Sequence, residues 1–143
     1  MPTFSQTSEQ FLQTCHPVLQ LLMREVVRGF DCKILEGFRD AETQERYYRE
    51  GKSQVTYPHS QHNCDPAEAV DVLPHPFTRA DWEDWRHFDH LAGFVKGVFQ
   101  VLQDEGQIAE GWNLIWGGDW DDDNALHDNR FNDLVHWELV WRS

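Results

Sequence analysis

Between residues 81 and 105 apolar side chains return every three or four positions: Trp82, Trp85, Phe88, Ala92, Val95, Phe99 and Leu102. That period lines them along one side of a helix. Thr78 with Asp81 gives its start a capping-box-like pair, so the spacing predicts one long helix from Asp81 to Glu105. A helix with one apolar flank needs a partner surface, and the rest of the chain has to provide it. With 143 residues there is enough chain for one core and one domain. No repeat, low-complexity linker or break in composition marks a second.

The remaining elements follow from the same punctuation. Residues 17–28 predict a helix: Pro17 suits the first helical position, Val18, Leu21, Leu22 and Val26 keep helical spacing, and Gly29 supplies the stop. Phe30 to Leu35 reads as a strand. Asp40 is placed to cap a helix that closes at Gly51, and residues 53–66, with Pro58, Asn63 and Pro66, read as an irregular loop. Ala67 to Val72 predicts a second strand stopped by Pro74 and Pro76, Asn113 to Trp116 a third and Val135 to Val140 a fourth. An acidic, asparagine-rich loop separates the last two. The order helix, strand, helix, strand, long helix, strand, strand predicts an α+β domain with a small sheet over residues 1–143.

Charge narrows the partners. Twelve Lys and Arg stand against 25 Asp and Glu, a formal net charge of −13, which argues against non-specific binding to nucleic acid or to an anionic membrane. The excess is uneven: residues 104–143 hold ten Asp and Glu and two Arg. No stretch approaches the ~20 apolar residues that cross a bilayer. Met1 to Gln13 has neither a basic nor an apolar leader region, so synthesis in a cytoplasm without a secretory signal is expected. Cys15, Cys32 and Cys64 form no C-x-x-C pair and read as reduced thiols.

Chemistry is concentrated where histidine and carboxylate stand beside strand signals. His62 ends the loop, Asp71 follows nine positions later in a strand, and His136 opens the last strand three positions after Asp133. Two imidazoles and one carboxylate, with coordination positions left open, would make a catalytic zinc site. Zinc is suited to hydrolysis because it lowers the pKa of bound water from about 15.7 to about 7. A carboxylate that is not a ligand must then take the proton, and Asp133 can be brought round by a turn to do so. With eight histidines and 25 carboxylates, spacing alone does not separate this reading from a set of structural histidines. Cys64, two residues after His62, is a poor fourth ligand, since a thiolate would close the site.

The surrounding residues carry more. Ser60-Gln61-His62, Pro66-Ala67-Glu68-Ala69-Val70-Asp71-Val72 and Asp133-Leu134-Val135-His136-Trp137-Glu138 resemble the zinc peptidases that cut peptidoglycan stem peptides, with their S-x-H, A-x-D and [DE]-x-x-H pattern. This is the D-alanyl-D-alanine carboxypeptidase family, which includes the L-alanyl-D-glutamate endopeptidases of phage endolysins. Glu36-Gly37-Phe38-Arg39, Gln44, Gly51-Lys52-Ser53 and Trp116-Gly117-Gly118-Asp119-Trp120 resemble its other blocks, in order, over about residues 16–141. The resemblance implies a Hedgehog/D,D-peptidase-like fold with a short, mostly antiparallel sheet and flanking helices. It implies zinc on His62, Asp71 and His136, with Asp133 as general base. Arg39 would polarise the scissile carbonyl and Ser60 would donate to the substrate. The spacer between His62 and Asp71, and Asp in place of Glu as base, are similar to the phage endopeptidase subgroup.

Each residue keeps a plainer reading. Arg39 could pair with Glu36 or Asp40, Ser60 could be a loop residue, and Trp137 could be core or could line the groove. His59, His75, His87, His90 and His127 read as solvated or structural. The run Asp119, Asp121, Asp123 matches the first half of a calcium loop, with Asn124 where Gly would turn and Arg130 where the bidentate Glu would stand. It reads either as a calcium site, a feature attributed to some phage relatives, or as a solvated acidic loop that continues to Asp128.

The expected function is a monomeric zinc endolysin that cuts the L-alanyl-D-glutamate bond. It would be made in the host bacterial cytoplasm and reach the wall after the membrane is breached, with its groove as the only wall-binding element. The rivals are a D-Ala-D-Ala carboxypeptidase or dipeptidase, and a non-catalytic metal-binding wall or virion module.

Overall fold

A computed structural model describes residues 1–126 and 132–143. Its sheet is built from β1 (Cys32–Glu36), β2 (Ala69–Pro74), β3 (Trp112–Trp116) and β4 (His136–Trp141), in the spatial order β1-β2-β4-β3 with every neighbour antiparallel. The small α+β domain expected from the sequence is therefore the one observed. Successive strand side chains point to opposite faces. On β2 and β4 this sends Val70, Val72, Trp137 and Leu139 into the core, and leaves Asp71, His136 and Glu138 together on the other face.

Two helices cover the apolar face. In α2 (Pro17–Gly29) Leu19, Leu22, Met23, Val26 and Val27 are buried, and His16 rather than a Ser or Asp caps the start, its Nδ1 accepting from Val18 N–H at 3.1 Å. The stripe of α4 (Arg86–Asp104) is Phe88, Leu91, Ala92, Val95, Phe99 and Leu102. Apart from Ala92, each such side chain contributes about 1.5–3 kcal/mol on full burial.

The predicted long helix is interrupted at its start. Thr78 and Asp81 do form a capping box, with Thr78 N–H donating to Asp81 Oδ2 at 2.8 Å, but it closes a 3-10 turn, residues 79–82. In a continuous helix the Trp82 carbonyl would accept from Arg86 N–H. Here it accepts the Trp85 indole N–H at 3.1 Å, and Arg86 N–H turns to Asp84 Oδ1 at 3.3 Å. The α-helix starts only at Arg86, and Trp82 is left exposed.

A helix that the sequence pattern does not announce, α1 (Gln6–Leu12), protects the edge of the sheet. Ser5 caps it, and Ser8 is buried so that its Oγ accepts Ile34 N–H of edge strand β1 at 3.1 Å. An unpaired edge N–H is thereby satisfied. In α3 (Ala41–Arg49) Asp40 is the N-cap as expected, accepting from Thr43 N–H at 2.8 Å. Proline does not stop β2 at residue 72: Pro74 is its last residue and pairs with Cys32.

Candidate active site

The ladder brings two distant residues together. In the antiparallel pairing of β2 and β4, Asp71 and His136 are direct partners. His62 arrives from a 3-10 turn (Gln61–Asn63) whose N-cap is Ser60, with Ser60 Oγ accepting His62 N–H at 3.1 Å and Ser60 N–H donating to Asn63 Oδ1 at 3.0 Å. The turn is tied to the segment before α3, since Arg39 N–H donates to the His62 carbonyl at 2.8 Å. His62, Asp71 and His136 each offer a ligand atom within 4.8 Å of the others. His62 Nε2 lies 3.1 Å from Asp71 Oδ1, and His136 Nδ1 lies 3.5 Å from the same oxygen.

The outer nitrogens show how well these residues fit a cation. His62 Nδ1 donates to the Gly37 carbonyl at 2.6 Å, and His136 Nε2 donates to Glu138 Oε1 at 2.7 Å. A carbonyl and a carboxylate only accept, so these contacts place a proton on each outer nitrogen. The inner nitrogens are then left to act as ligands, as is usual for metal-bound histidine. Two such imidazoles and one carboxylate suit a zinc ion, though the donor set alone does not name the metal.

Charge in the cluster is tightly coupled. Burial would raise the Asp71 carboxyl, but the charge of His62 and hydrogen bonds from both imidazoles hold it well below the usual carboxylate range. Burial would lower His136, yet Asp71 and Glu138 push it up to about 10. Cation binding there must displace a proton. The Asp133 carboxyl is raised, first by burial and then by the negative charge of Asp71.

His62, His136 and Asp133 line a cleft of about 550 Å³ together with Arg39, Lys52, Ser53, His59, Ser60, Trp120 and Glu138. Asp133 reaches it through the expected turn, in which His136 N–H donates to the Asp133 carbonyl at 3.0 Å. Of the expected ion-pair partners of Arg39, Glu36 is the one found. Its guanidinium pairs with Glu36, with Nε donating at 2.7 Å, and lies 3.8 Å from Asp71 Oδ2 at the wall of the cleft. Asp40 is not its partner. Gln44 Oε1 accepts from Arg39 Nη1 at 2.9 Å, and the Tyr47 ring packs 4.7 Å from the guanidinium carbon. Gln44 is fully buried, and its amide also donates to Ser53 Oγ and the Val55 carbonyl at 2.9 and 2.7 Å. It links Arg39 to residues 53–55, which also line the cleft.

Trp137 is core, stacked on Trp116 at 5.8 Å. The indole in the cleft is Trp120, packed 5.2 Å from the His136 ring. His59 lines the cleft, whereas His87 and His90 pack against Phe30 on the helical side. Cys64 is not part of the ligand group. The sequence pattern assigns no role to Glu138, Gln44, Tyr47 or Trp120. Strand alternation is the signal that could find Glu138, which lies two residues from His136 and hence on its face.

A second group, Asp119, Asp121 and Asp123, also converges within 4.8 Å. It follows the Trp116-Gly117-Gly118 turn, where Gly117 N–H donates to the His136 carbonyl at 2.8 Å and Asp133 N–H to the Gly117 carbonyl at 2.9 Å. A Cβ on Gly117 would run into the Asp133 carbonyl oxygen, so this close approach requires glycine. Positions His127, Asp128 and Arg130 lie outside the described residues.

Among solved structures, the Serratia marcescens L-Ala D-Glu endopeptidase ChiX is similar, with a TM-score of 0.69 and 25% identity over 97% of this chain and 91% of that one. No curated protein sequence matches. The family model described as phage L-alanyl-D-glutamate peptidase matches residues 2–140. With nearly its whole length matched, the chain belongs to the phage L-alanyl-D-glutamate peptidase family.

Proposed function

We propose that this peptidase hydrolyses the L-alanyl-D-glutamate bond of peptidoglycan stem peptides, as a phage endolysin, with one zinc ion held by His62, Asp71 and His136. The observation that carries the reading is the direct pairing of Asp71 with His136 on the cleft face, each ligand histidine being fixed from behind by its own acceptor. Zinc, when bound, supplies a Lewis acid that polarises the scissile carbonyl and acidifies water to a pKa of about 7.

The chain's own groups do the rest. A carboxylate oxygen of Asp133 takes the proton from the attacking water and returns it to the leaving amine. Burial and the negative charge of Asp71 raise its carboxyl above the ordinary carboxylate range. Arg39, held by Glu36 and Gln44, presents a fixed positive charge to the carbonyl oxygen as negative charge develops there. Ser60 Oγ accepts from His62 N–H, which leaves its hydroxyl hydrogen for the substrate.

The test is to digest purified peptidoglycan with the zinc-loaded protein and identify the new termini by mass spectrometry. New L-alanine carboxyl ends and D-glutamate amino ends are expected. Release of free D-alanine would overturn the choice of bond in favour of carboxypeptidase action. Stoichiometric zinc with no hydrolysis would favour a binding module.

A further inference from the structure

The acidic turn that follows Gly118 is wound round a cation the chain itself supplies. Asp119 is fully buried, at 0% exposure. Its Oδ1 accepts Asp123 N–H at 3.3 Å and its Oδ2 accepts Asn124 N–H at 2.9 Å. The ammonium of Lys96, reaching across from α4, lies 3.1 Å from Asp119 Oδ2, 3.2 Å from Asn124 Oδ1 and 3.8 Å from Asp122 Oδ1. Asp122 and Asn124 both take left-handed backbone conformations, φ 55° and 64°, which curl the turn back over that ammonium. A buried carboxylate is tolerated when it is paired and hydrogen-bonded, and Lys96 provides the pairing.

We propose that Lys96 is the resident cation of this turn, held by Asp119, Asp122 and Asn124, and that it is a positioning residue for the active site. The route is short. Asp119 N–H donates to the Trp116 carbonyl at 2.9 Å, closing the turn that carries Gly117 and Trp120. Gly117 exchanges backbone hydrogen bonds with the segment bearing Asp133 and His136, and Trp120 packs on the His136 ring. Pinning Asp119 therefore fixes two things at the cleft: the indole beside one ligand and the backbone from which Asp133 projects. The link to catalysis rests on the proposed active site. The cation role of Lys96 does not.

Lys96→Met keeps the apolar stem and removes the charge, while Lys96→Arg keeps the charge. Backbone amide exchange of residues 119–124 reads the cation role, and steady-state kinetics of the zinc-loaded enzyme on a stem-peptide substrate read the positioning role. In Lys96→Met the amides of Asp123 and Asn124 lose protection while the far-ultraviolet circular dichroism stays native, and kcat falls about tenfold with KM changed less, as for misplacement of a catalytic group. Lys96→Arg recovers both. Millimolar calcium leaves the wild-type exchange and rate unchanged. Wild-type protection in Lys96→Met, or a wild-type rate that rises with calcium, would overturn the cation role. Lost protection with an unchanged kcat would overturn the positioning role alone.

Discussion

His62, Asp71 and His136 come from a tight turn and two paired strands, whereas Asp119, Asp121 and Asp123 come from a single short turn. The first cluster is assembled by the sheet from residues far apart in sequence. Its histidines have their outer nitrogens occupied by Gly37 and Glu138, and their inner nitrogens turned toward Asp71 and the cleft. The second is richer in acid, yet its most buried carboxylate already meets an ammonium and two backbone N–H groups. Density of carboxylates is therefore a poor guide to where an external ion is needed. What distinguishes the clusters is the kind of counter-charge the chain provides: imidazoles that can give up a proton to an entering cation in the first, a lysine ammonium in the second.

The severest way to break that contrast is His136→Ala. It removes a ligand of the first cluster only, so bound zinc, measured by elemental analysis, should fall close to zero and lysis with it. Protection of the Asn124 amide should persist. If that protection also disappears, the two clusters are one unit and the comparison fails. Asp133→Ala tests the boundary within the site: zinc should be retained while turnover falls by about 10²–10⁴-fold, the usual contribution of a general acid–base group. Loss of zinc as well would make Asp133 a ligand. The smallest effect is expected from Glu138→Ala, which removes the acceptor behind His136. Zinc affinity, measured by chelator competition, should weaken about 10–100-fold. Unchanged affinity would mean that the ligand cluster does not depend on its outer contacts.

Much of the first cluster is legible in the sequence through the blocks S-x-H, A-x-D and D-x-x-H, whose resemblance to a known family singles out three residues that spacing alone would leave among eight histidines and 25 carboxylates. The sheet and most helices are legible from periodicity and caps. α1 is not, because it buries only Ser8 and Leu12 and so has no apolar stripe to read. The break before α4 is hidden because Trp82 and Trp85 fit the helical period. What ends it is an indole N–H taking a backbone carbonyl, which no period reveals. Trp137 is a plausible groove residue by its nearness to His136 in sequence, but neighbouring strand residues face opposite ways, and this sends it into the core. The Lys96–Asp119 pair joins a helix to a turn across the fold, and nothing local in either segment announces it.

The pairing of Asp71 with His136 also bears on how the chain tolerates change in length. Their separation in space is set by one rung of the ladder and not by the residues between them, which include all of α4 and β3. Insertions at exposed positions such as residues 105–107 would lengthen the path between the two ligands without moving either. Loop-closure cost grows only slowly with length. By contrast, a one-residue slip between β2 and β4 would turn one of the ligands to the opposite face. The chemistry is thus insulated from variation along the contour of the chain and exposed to variation in register. Relatives would be expected to differ most in the lengths of these connections and least in how the two central strands align.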